Sequence, residues 1–411
     1  MGHPETTRLE DALTLILGAA SKQKRETENC PVMQAYGRIL AEDIKSPIDL
    51  PQTDNAAVDG FAFHTDSLAE SPERPLKIIG SARAGHPFDG QVKTGEALRI
   101  YTGAILPKGP NCIIMHEDCT DKGNSVICHK RLSAGTNIRP RGENLNAGEV
   151  VGKKGHRITA ADMGQLAASG CAELRVYRQL KAVIFSTGDE VIDAGRMRQT
   201  GQIFDSNRPI LAGLLQQEDI QIIDGGIISD KKEALVTAYQ SGLARADIIL
   251  SSGGASDGIE DHSQYALREI GAELLFWRLA MKPGRPMAAA HKEGKMIFCL
   301  PGNPVAAFVC FKLLVAPAID ALSGRIPRQP LVVKIKSGFQ HKKQAGRAEY
   351  LRAVIQTDST GQQQIALHGR KGAGVISSVT GADGLVEIPM DATGVAPGDV
   401  LNFIPFQEQA L

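Results

Sequence analysis

Three groups of residues in this 411-residue chain have types and spacings suited to chemistry. Ser251-Ser252-Gly253-Gly254-Ala255-Ser256 follows the apolar run Ile248-Ile249-Leu250. At the carboxyl end of a buried strand, such glycines let backbone N–H groups close on an anion. The spacing is neither G-x-G-x-x-G nor G-x-x-x-x-G-K-[ST], so the two common nucleotide fingerprints do not apply. Gly253-Gly254 also fits a plain tight turn. Glu190, Asp230 and Asp261 each lie in a polar stretch after an apolar one, as carboxylates holding Mg²⁺ between phosphates would. Arg278, Lys282 and Arg285 form a cationic group suited to an oxyanion, with arginine offering bidentate hydrogen bonds. Any one of these charges also reads as an exposed helix cap or surface group. Their recurrence after successive strands favours a shared sheet edge.

Met281-Lys282-Pro283-Gly284-Arg285-Pro286 and Leu300-Pro301-Gly302-Asn303-Pro304 place proline on both sides of glycine. That composition stiffens a loop and suits a preformed pocket, although two ordinary turns have the same signature. A second polar cluster, Asp54-Asn55-Ala56-Ala57-Val58-Asp59-Gly60-Phe61-Ala62, is far away in sequence. With Thr102-Gly103-Ala104 and Arg139-Pro140-Arg141-Gly142-Glu143-Asn144 it adds acid, hydroxyl and cation groups. Asp59-Gly60 alone is also a plain turn. Nothing in the spacing brings this cluster beside the first groups within one chain, and a partner subunit is the alternative source.

The elements that must position these residues change character along the chain. Thr7-x-x-Glu10 predicts a capping box, followed by an amphipathic helix with Leu9, Leu13, Ile16 and Ala20 on one face. Residues 76–139 read as short strands separated by Gly, Pro and Asn, with a hairpin turn at Asp121-Lys122-Gly123-Asn124. Thr159 and Asp162 predict a capped helix ending at Gly170. From Leu180, strands over 181–185, 220–223, 247–250, 274–277 and 296–300 alternate with helices over 208–217, 231–244, from 263 and over 303–322. This predicts a covered parallel sheet with right-handed crossovers. Beyond Pro327 the apolar period becomes two, which predicts a small C-terminal barrel. The fold class expected is thus α/β plus all-β modules.

Composition sets limits. Lys+Arg and Asp+Glu balance at 46 each, so no polyanion or membrane surface is indicated, and aromatics at 5% supply few stacking platforms for nucleic acid. Seven cysteines, an odd number with no C-x-x-C, fit reduced thiols better than a disulfide framework or a zinc site. The first residues are polar without an apolar signal core. The longest apolar stretch, Val305 to Ala318, is interrupted by Lys312 and too short to span a bilayer. A soluble cytoplasmic protein is expected.

The motifs Asp54 to Ala62, Ser186-Thr187-Gly188-Asp189-Glu190, Asp205-Ser206-Asn207-Arg208, Ser251 to Ser256, Met281 to Pro286 and Leu300-Pro301-Gly302-Asn303-Pro304-Val305 occur in one order. In that order they resemble the molybdopterin molybdenumtransferases, the MoeA and gephyrin E-domain family. The resemblance runs from the first helix to the C-terminal barrel. It implies an elongated homodimer with four domains per subunit: residues 1–28 and 176–328 as the molybdopterin-binding α/β domain, 29–50 and 140–175 as an elongated linker domain, 51–139 as a small β domain and 329–411 as the barrel. It implies that molybdenum from molybdate enters adenylylated molybdopterin with Mg²⁺ present and AMP released. A molybdopterin adenylyltransferase would supply the substrate, and a molybdoenzyme or chaperone would receive the product.

Carried over position by position, Asp59 and Thr102 would reach across from the partner subunit, and Glu190, Asp230 and Asp261 would be the metal-associated acids. Ser251, Ser252, Gly253, Gly254 and Ser256 would cradle phosphate through backbone N–H groups. Arg278, Lys282 and Arg285 would contact oxyanion, Pro301, Asn303 and Pro304 would shape the pocket, and Arg352 would face the cleft. The chain departs from the pattern at Asn144, where Asp is common; at Arg278 and Arg285, where Lys is common; at Asp257, usually apolar; and at Ala373, where Ser is expected. An amide cannot act as a base or supply metal charge, so Asn144 is doubtful as a chemical group. The departures at Asn144 and Asp257 motivate a rival reading, insertion of another oxyanion such as tungstate or use of another pterin nucleotide. A scaffold that has lost catalysis is the other rival.

Overall fold

The computed structural model describes residues 6–69, 71, 73–253, 262–326, 331–370 and 372–406. At its centre is a six-stranded sheet in the order Gln221–Ile228, Lys181–Thr187, Ile248–Ser252, Lys295–Leu300, Ala288–Lys292, Glu273–Phe276. The first four strands are parallel. Along them, side chains alternate between two cores. Ala182, Ile184, Ile248, Leu250, Met296 and Phe298 face one side, while Val183, Phe185, Ile249, Ile297 and Cys299 face the other. This is the period-two consequence of strand geometry in a sheet covered on both faces. The helices Leu9–Ser21 and Asn207–Gln217 pack on the first side with the helical run from Pro304 to Ser323; Lys232–Arg245 and His262–Glu269 pack on the second. Chain order therefore reverses between Lys181–Thr187 and Ile248–Ser252, and a crevice forms there at the strand ends.

Several local expectations are corrected. The sheet is not wholly parallel: Ala288–Lys292 runs antiparallel to both of its neighbours. Its run Ala288-Ala289-Ala290 carries no β-branched residue to mark it as a strand. Thr7 does not cap the first helix. Arg8 is the N-cap and no side chain caps it, because Thr7 instead bridges to Leu279, receiving the Ala280 N–H and donating to the Arg278 carbonyl at 2.8 Å each. Thr159 and Asp162 do form a reciprocal capping box. The closing helix is interrupted by a π-helical turn at Phe311–Val315. Pro317 has no N–H to donate, and its ring crowds the carbonyl four residues back, so the ladder loosens there. The whole run Pro304–Ser323 is 20 residues, long and apolar enough by length and composition to cross a membrane, which the shorter stretch read from the sequence was not. Most of it is buried inside the fold.

A two-stranded ribbon leads away from this sheet. Thr27–Pro31 pairs with Glu173–Tyr177, Ile44–Lys45 with Val150–Gly152, and Asn55–Ala56 with Ile138–Arg139. Its base is tied down by Arg178, which donates to Asp247 at 2.9 Å, while Asp247 also accepts from the Lys181 N–H at 2.8 Å. Asp247 thus works at the end of the strand opposite the crevice. The ribbon carries a second six-stranded sheet in the order Cys112–Met115, Gly60–Phe63, Glu96–Ile100, Leu76–Ala82, Ser125–Cys128, Cys119–Asp121.

The C-terminal residues close a five-stranded barrel. Ala348–Thr357 pairs with both Gln363–Leu367 and Gly384–Ile388; Val333–Ser337 and Val400–Pro405 complete the ring. The barrel is joined to the central unit by Met281–Lys282, which pairs in parallel with Ala348 and Glu349, and by Tyr350 and Leu385, which enter the central core.

Gly60 has no room for a side chain: a Cβ there would lie 1.8 Å from the Ile114 carbonyl oxygen of the adjacent strand. Gly60→Ala is expected to lower stability by about 1–3 kcal/mol through overpacking. Gly18, in an open helical position with nothing within 4 Å, is expected to gain about 0.5–1 kcal/mol on Gly18→Ala. Urea titration of both variants measures the contrast, and equal effects would contradict the assignment of Gly60 to a close backbone approach.

Candidate functional site

At the crevice, backbones of three loops come into direct contact. Gly253 has φ +95°, and a Cβ on it would lie 2.5 Å from the Thr187 carbonyl oxygen and 2.7 Å from Thr187 Oγ1. Gly302 is close enough that its own Cβ would meet the Gly253 Cα at 3.6 Å. At position 253 only glycine permits this approach, while the contact at Gly302 is ordinary van der Waals packing. Asn207, at the start of the helix Asn207–Gln217, fastens two of these loops together: its amide nitrogen donates to Ser252 Oγ at 2.5 Å and to the Gly302 carbonyl at 2.7 Å. Buried Asp205 orients that helix start. One carboxylate oxygen accepts from Ser186 Oγ and from the Asn207 and Arg208 N–H groups at 2.9–3.2 Å. The Asp205 to Arg208 motif had no role assigned from sequence; its signal was the helix start directly after an Asp-Ser-Asn run.

The serines of the opening stretch face inward. Ser251 Oγ lies 3.1 Å from the buried Tyr239 hydroxyl, which also meets Cys299 Sγ at 3.3 Å. Burial, with the Cys299 thiol adding to it, pushes the Tyr239 phenol well above its ordinary value. Ser252 Oγ donates to the Pro301 carbonyl at 3.3 Å, and the Gly253 N–H donates to the Leu300 carbonyl at 3.2 Å. Ser251 and Ser252 belong to the strand, paired on both sides. In this arrangement Ser251 to Gly253 build the floor of the crevice, which differs from the expected presentation of their N–H groups to phosphate. Gly254, Ser256, Asp257 and Asp261 lie outside the described residues.

An acidic compartment adjoins the glycine contact. The Gly188 N–H donates to the Ile228 carbonyl at 3.3 Å and the Asp230 N–H to Asp189 Oδ1 at 3.1 Å, which sets the loops carrying Glu190 and Asp230 side by side. The Glu190 carboxylate folds over Gly188, its Oε2 2.6 Å from where a Cβ would be. Asp230 Oδ1 lies 3.2 Å from His262 Nδ1 at the start of the helix His262–Glu269. Among the described residues no three His, Cys, Asp or Glu side chains converge as a metal cluster.

A cationic compartment lies on the barrel side. A cavity of about 220 Å³ is bounded by the loop Met281 to Pro286, by Pro301, Asn303 and Ala306, and by Arg347, Leu351, Arg352 and Ala373. Lys282, Arg285, Arg347 and Arg352 line it, with Glu349 as its one acid among the described residues. Glu349 is buried and held by Lys282 Nζ at 3.2 Å and His341 Nε2 at 2.8 Å. Burial raises its carboxyl, but these two hydrogen bonds and the charges behind them outweigh that and leave it below its ordinary value. Arg352 is buried, which lowers its guanidinium from its ordinary value, and its Nε donates to Ser378 Oγ at 3.0 Å.

Arg278, grouped on sequence with Lys282 and Arg285, does not line this cavity; its carbonyl serves the Thr7 bridge. Pro304 begins the helix behind the pocket loop. Arg347, Glu349 and His341 escaped sequence reading, since they sit in a barrel whose period-two pattern pointed only to strands. Ala373 lines the cavity, so the hydroxyl expected at that position is missing from its wall.

Asp59 and Thr102 are brought together, but in the small β sheet. The Thr102 N–H and hydroxyl both donate to Asp59 Oδ1 at 2.8 Å and hold the exposed carboxyl below the usual range. His116 completes this group, its N–H donating to the Asp59 carbonyl at 3.2 Å and its ring stacking on Phe61. Asn144 borders a separate cavity at the root of this sheet with Leu50, Pro51, Asn55, Gly103 and Arg139.

Residues 7–170 match the MoeA N-terminal region (domains I and II), 183–321 the probable molybdopterin binding domain, and 334–406 the MoeA C-terminal region (domain IV). The molybdopterin molybdenumtransferase of Haemophilus influenzae is 34% identical over 93% of this chain and 94% of its own length. That of a Nostoc species is 31% identical over 97% and 94%. The crystal structure of a molybdopterin biosynthesis MoeA protein from Pyrococcus horikoshii superposes with a TM-score of 0.83 at 28% identity, covering 98% of this chain and all of that one. With a glycine-lined crevice at the switch point, a cationic cavity against the barrel and these relatives over nearly its full length, the chain belongs to the MoeA family.

Proposed function

We propose that this chain is a molybdopterin molybdenumtransferase that takes molybdate and adenylylated molybdopterin, inserts molybdenum into the dithiolene and releases AMP with Mg²⁺ present. The observation that carries the reading is the cavity of about 220 Å³ walled by Lys282, Arg285, Arg347 and Arg352. A tetrahedral dianion needs convergent cationic donors in a partly dehydrated recess, where each interaction is stronger than in water. Arg352 is held by Ser378, and Lys282 is held by Glu349, so two of the four cations are preset rather than free to sweep.

The acidic compartment fits Mg²⁺ in donor type. Glu190 and Asp230 offer hard carboxylate oxygens on adjoining loops, as a cation that binds chiefly through one or two carboxylates and substrate phosphates requires. When bound, Mg²⁺ neutralises charge on the phosphate oxygens as the pyrophosphate link breaks. The protein's own part is placement. Pro301 and Asn303 form part of the cationic cavity's wall, and Gly302 between them lies against Gly253. Asp59 and Thr102 then act from the small β sheet of a partner subunit, with their pair already hydrogen-bonded.

Lys282→Ala is expected to reduce molybdate-dependent AMP release about 100-fold, the scale for losing one donor to a developing oxyanion, and to lower the thermal midpoint because buried Glu349 loses a partner. Unchanged turnover would remove the cavity from the reaction. Running the assay with tungstate as well as molybdate decides the oxyanion, since faster release with tungstate would favour the rival substrate. Shared sites make a second prediction. Asp59→Ala and Glu190→Gln are each expected to be inactive as homodimers. Refolding them together is expected to restore roughly a quarter of wild-type activity, because half of the dimers are mixed and each carries one intact site. No recovery would place Asp59 and Glu190 in the same subunit's site.

A further inference from the structure

In the small β sheet, Cys119 and Cys128 are directly opposite each other on the antiparallel strands Cys119–Asp121 and Ser125–Cys128. The flanking hydrogen bonds fix the kind of pair. The Lys122 N–H donates to the Ser125 carbonyl at 2.8 Å and the His129 N–H to the Asp118 carbonyl at 2.9 Å. Hydrogen-bonded and non-hydrogen-bonded pairs alternate along an antiparallel ladder. Counting from either end, Cys119 and Cys128 form a non-hydrogen-bonded pair, the closer of the two kinds, with side chains on the same face. Such a pair falls inside the Cα separation that a disulfide spans. Both thiols are free. Cys128 is buried in the apolar core between the strands, and Cys119 is half-buried at its edge, its Sγ turned toward the Met115 and His116 carbonyls. Cys112 belongs to the same core but sits on the strand at the opposite edge of the sheet.

We propose that Cys119 and Cys128 are a cross-strand dithiol that closes to a disulfide when a low-molecular-weight disulfide is present. The Cys119 thiolate, reached from solvent, attacks one sulfur of the small disulfide and expels a thiolate. The Cys128 thiol then loses its proton and attacks Cys119 Sγ, forming the cross-strand bond and releasing the second small thiol. Two protein thiols are oxidised and one disulfide is reduced to two thiols. The bond staples the hairpin next to His116, whose N–H donates to the Asp59 carbonyl, so the staple adjoins the group that carries Asp59 and Thr102.

Burial pushes both thiols up, Cys119 to about 11 with Asp121, Asp118 and Glu117 adding to the effect, and Cys128 to about 12. The reactive fraction at neutral pH is therefore small, and closure is slow and base-promoted, its rate rising about tenfold per pH unit below 11.

Incubating the full-length protein with glutathione disulfide, followed by non-reducing proteolysis and mass spectrometry, tests this. A cross-linked peptide pair containing Cys119 and Cys128, with the loss of two hydrogen atoms, is expected, forming faster at pH 9 than at pH 7. Cys112→Ser is expected to leave it intact. Cys119→Ser and Cys128→Ser are each expected to abolish it, and Cys128→Ser to stop at a mixed disulfide on Cys119. A cross-link through Cys112, or folded protein with both thiols still free after prolonged oxidation at pH 9, would overturn the proposal. Circular dichroism of each variant confirms that it is folded before the cross-link is scored.

Discussion

The constraint on which the rest of the site depends is the backbone contact among the three strand-end loops. Gly253 lies where a methyl group would collide with Thr187, and Gly302 lies against Gly253. The chain order reverses at this point of the sheet, so helices leave on opposite faces and open the crevice. The Thr187 and Gly302 loops lead to helices on one side of the sheet and the Gly253 loop to a helix on the other, so a tether between them joins the two sides. Asn207 supplies the tether through Ser252 and Gly302, and Asp205 keeps Asn207 in place. Backbone proximity, rather than any single charged residue, sets the geometry within which acids and cations are useful.

The barrel is part of the same construction. Met281 and Lys282 form a short parallel pairing with Ala348 and Glu349, so the pocket loop is one strand of the barrel's edge. Glu349 then meets Lys282 from the barrel side, with His341 behind it. A buried carboxylate between a lysine and a histidine is tolerated because both hydrogen-bond to it. Removing either partner would leave part of a buried charge exposed to an apolar wall. The cavity therefore belongs to neither unit alone.

Much of this was legible in the sequence. Alternating strand and helix patterns from Leu180 onward placed the central sheet and its covered faces, and period-two segments marked the barrel. Pro-Gly-Pro spacing marked both rigid loops, since those residue types act locally and leave a local trace. What escaped depends on long-range pairing. Ala288-Ala289-Ala290 is a strand only because Lys295–Leu300 lies beside it. Glu349, with Arg347 close by in sequence, became a wall residue through a pairing with a segment 67 positions earlier, Glu349 opposite Lys282. Thr7 looks like a cap until its backbone is drawn to Leu279. Ser251 and Ser252 have the composition of ligand donors, but the register turns their hydroxyls inward. Cys119 and Cys128 share no spacing motif, and only strand register brings them together.

Charge separation across the crevice follows from the same architecture. Glu190 and Asp230 stand on the loops after the strands Lys181–Thr187 and Gln221–Ile228, whereas Lys282, Arg285, Arg347 and Arg352 gather beyond the strand Lys295–Leu300, toward the barrel. Were these groups in contact, they would neutralise one another as ordinary ion pairs and leave neither a cation nor an oxyanion anything to bind. Among the described residues one acid, Glu349, enters the cationic side, and it is held by His341 and Lys282. Lys282, Arg285, Arg347 and Arg352 outnumber that acid around the cavity, and a positive lining is the electrostatic condition for drawing a dianion out of water.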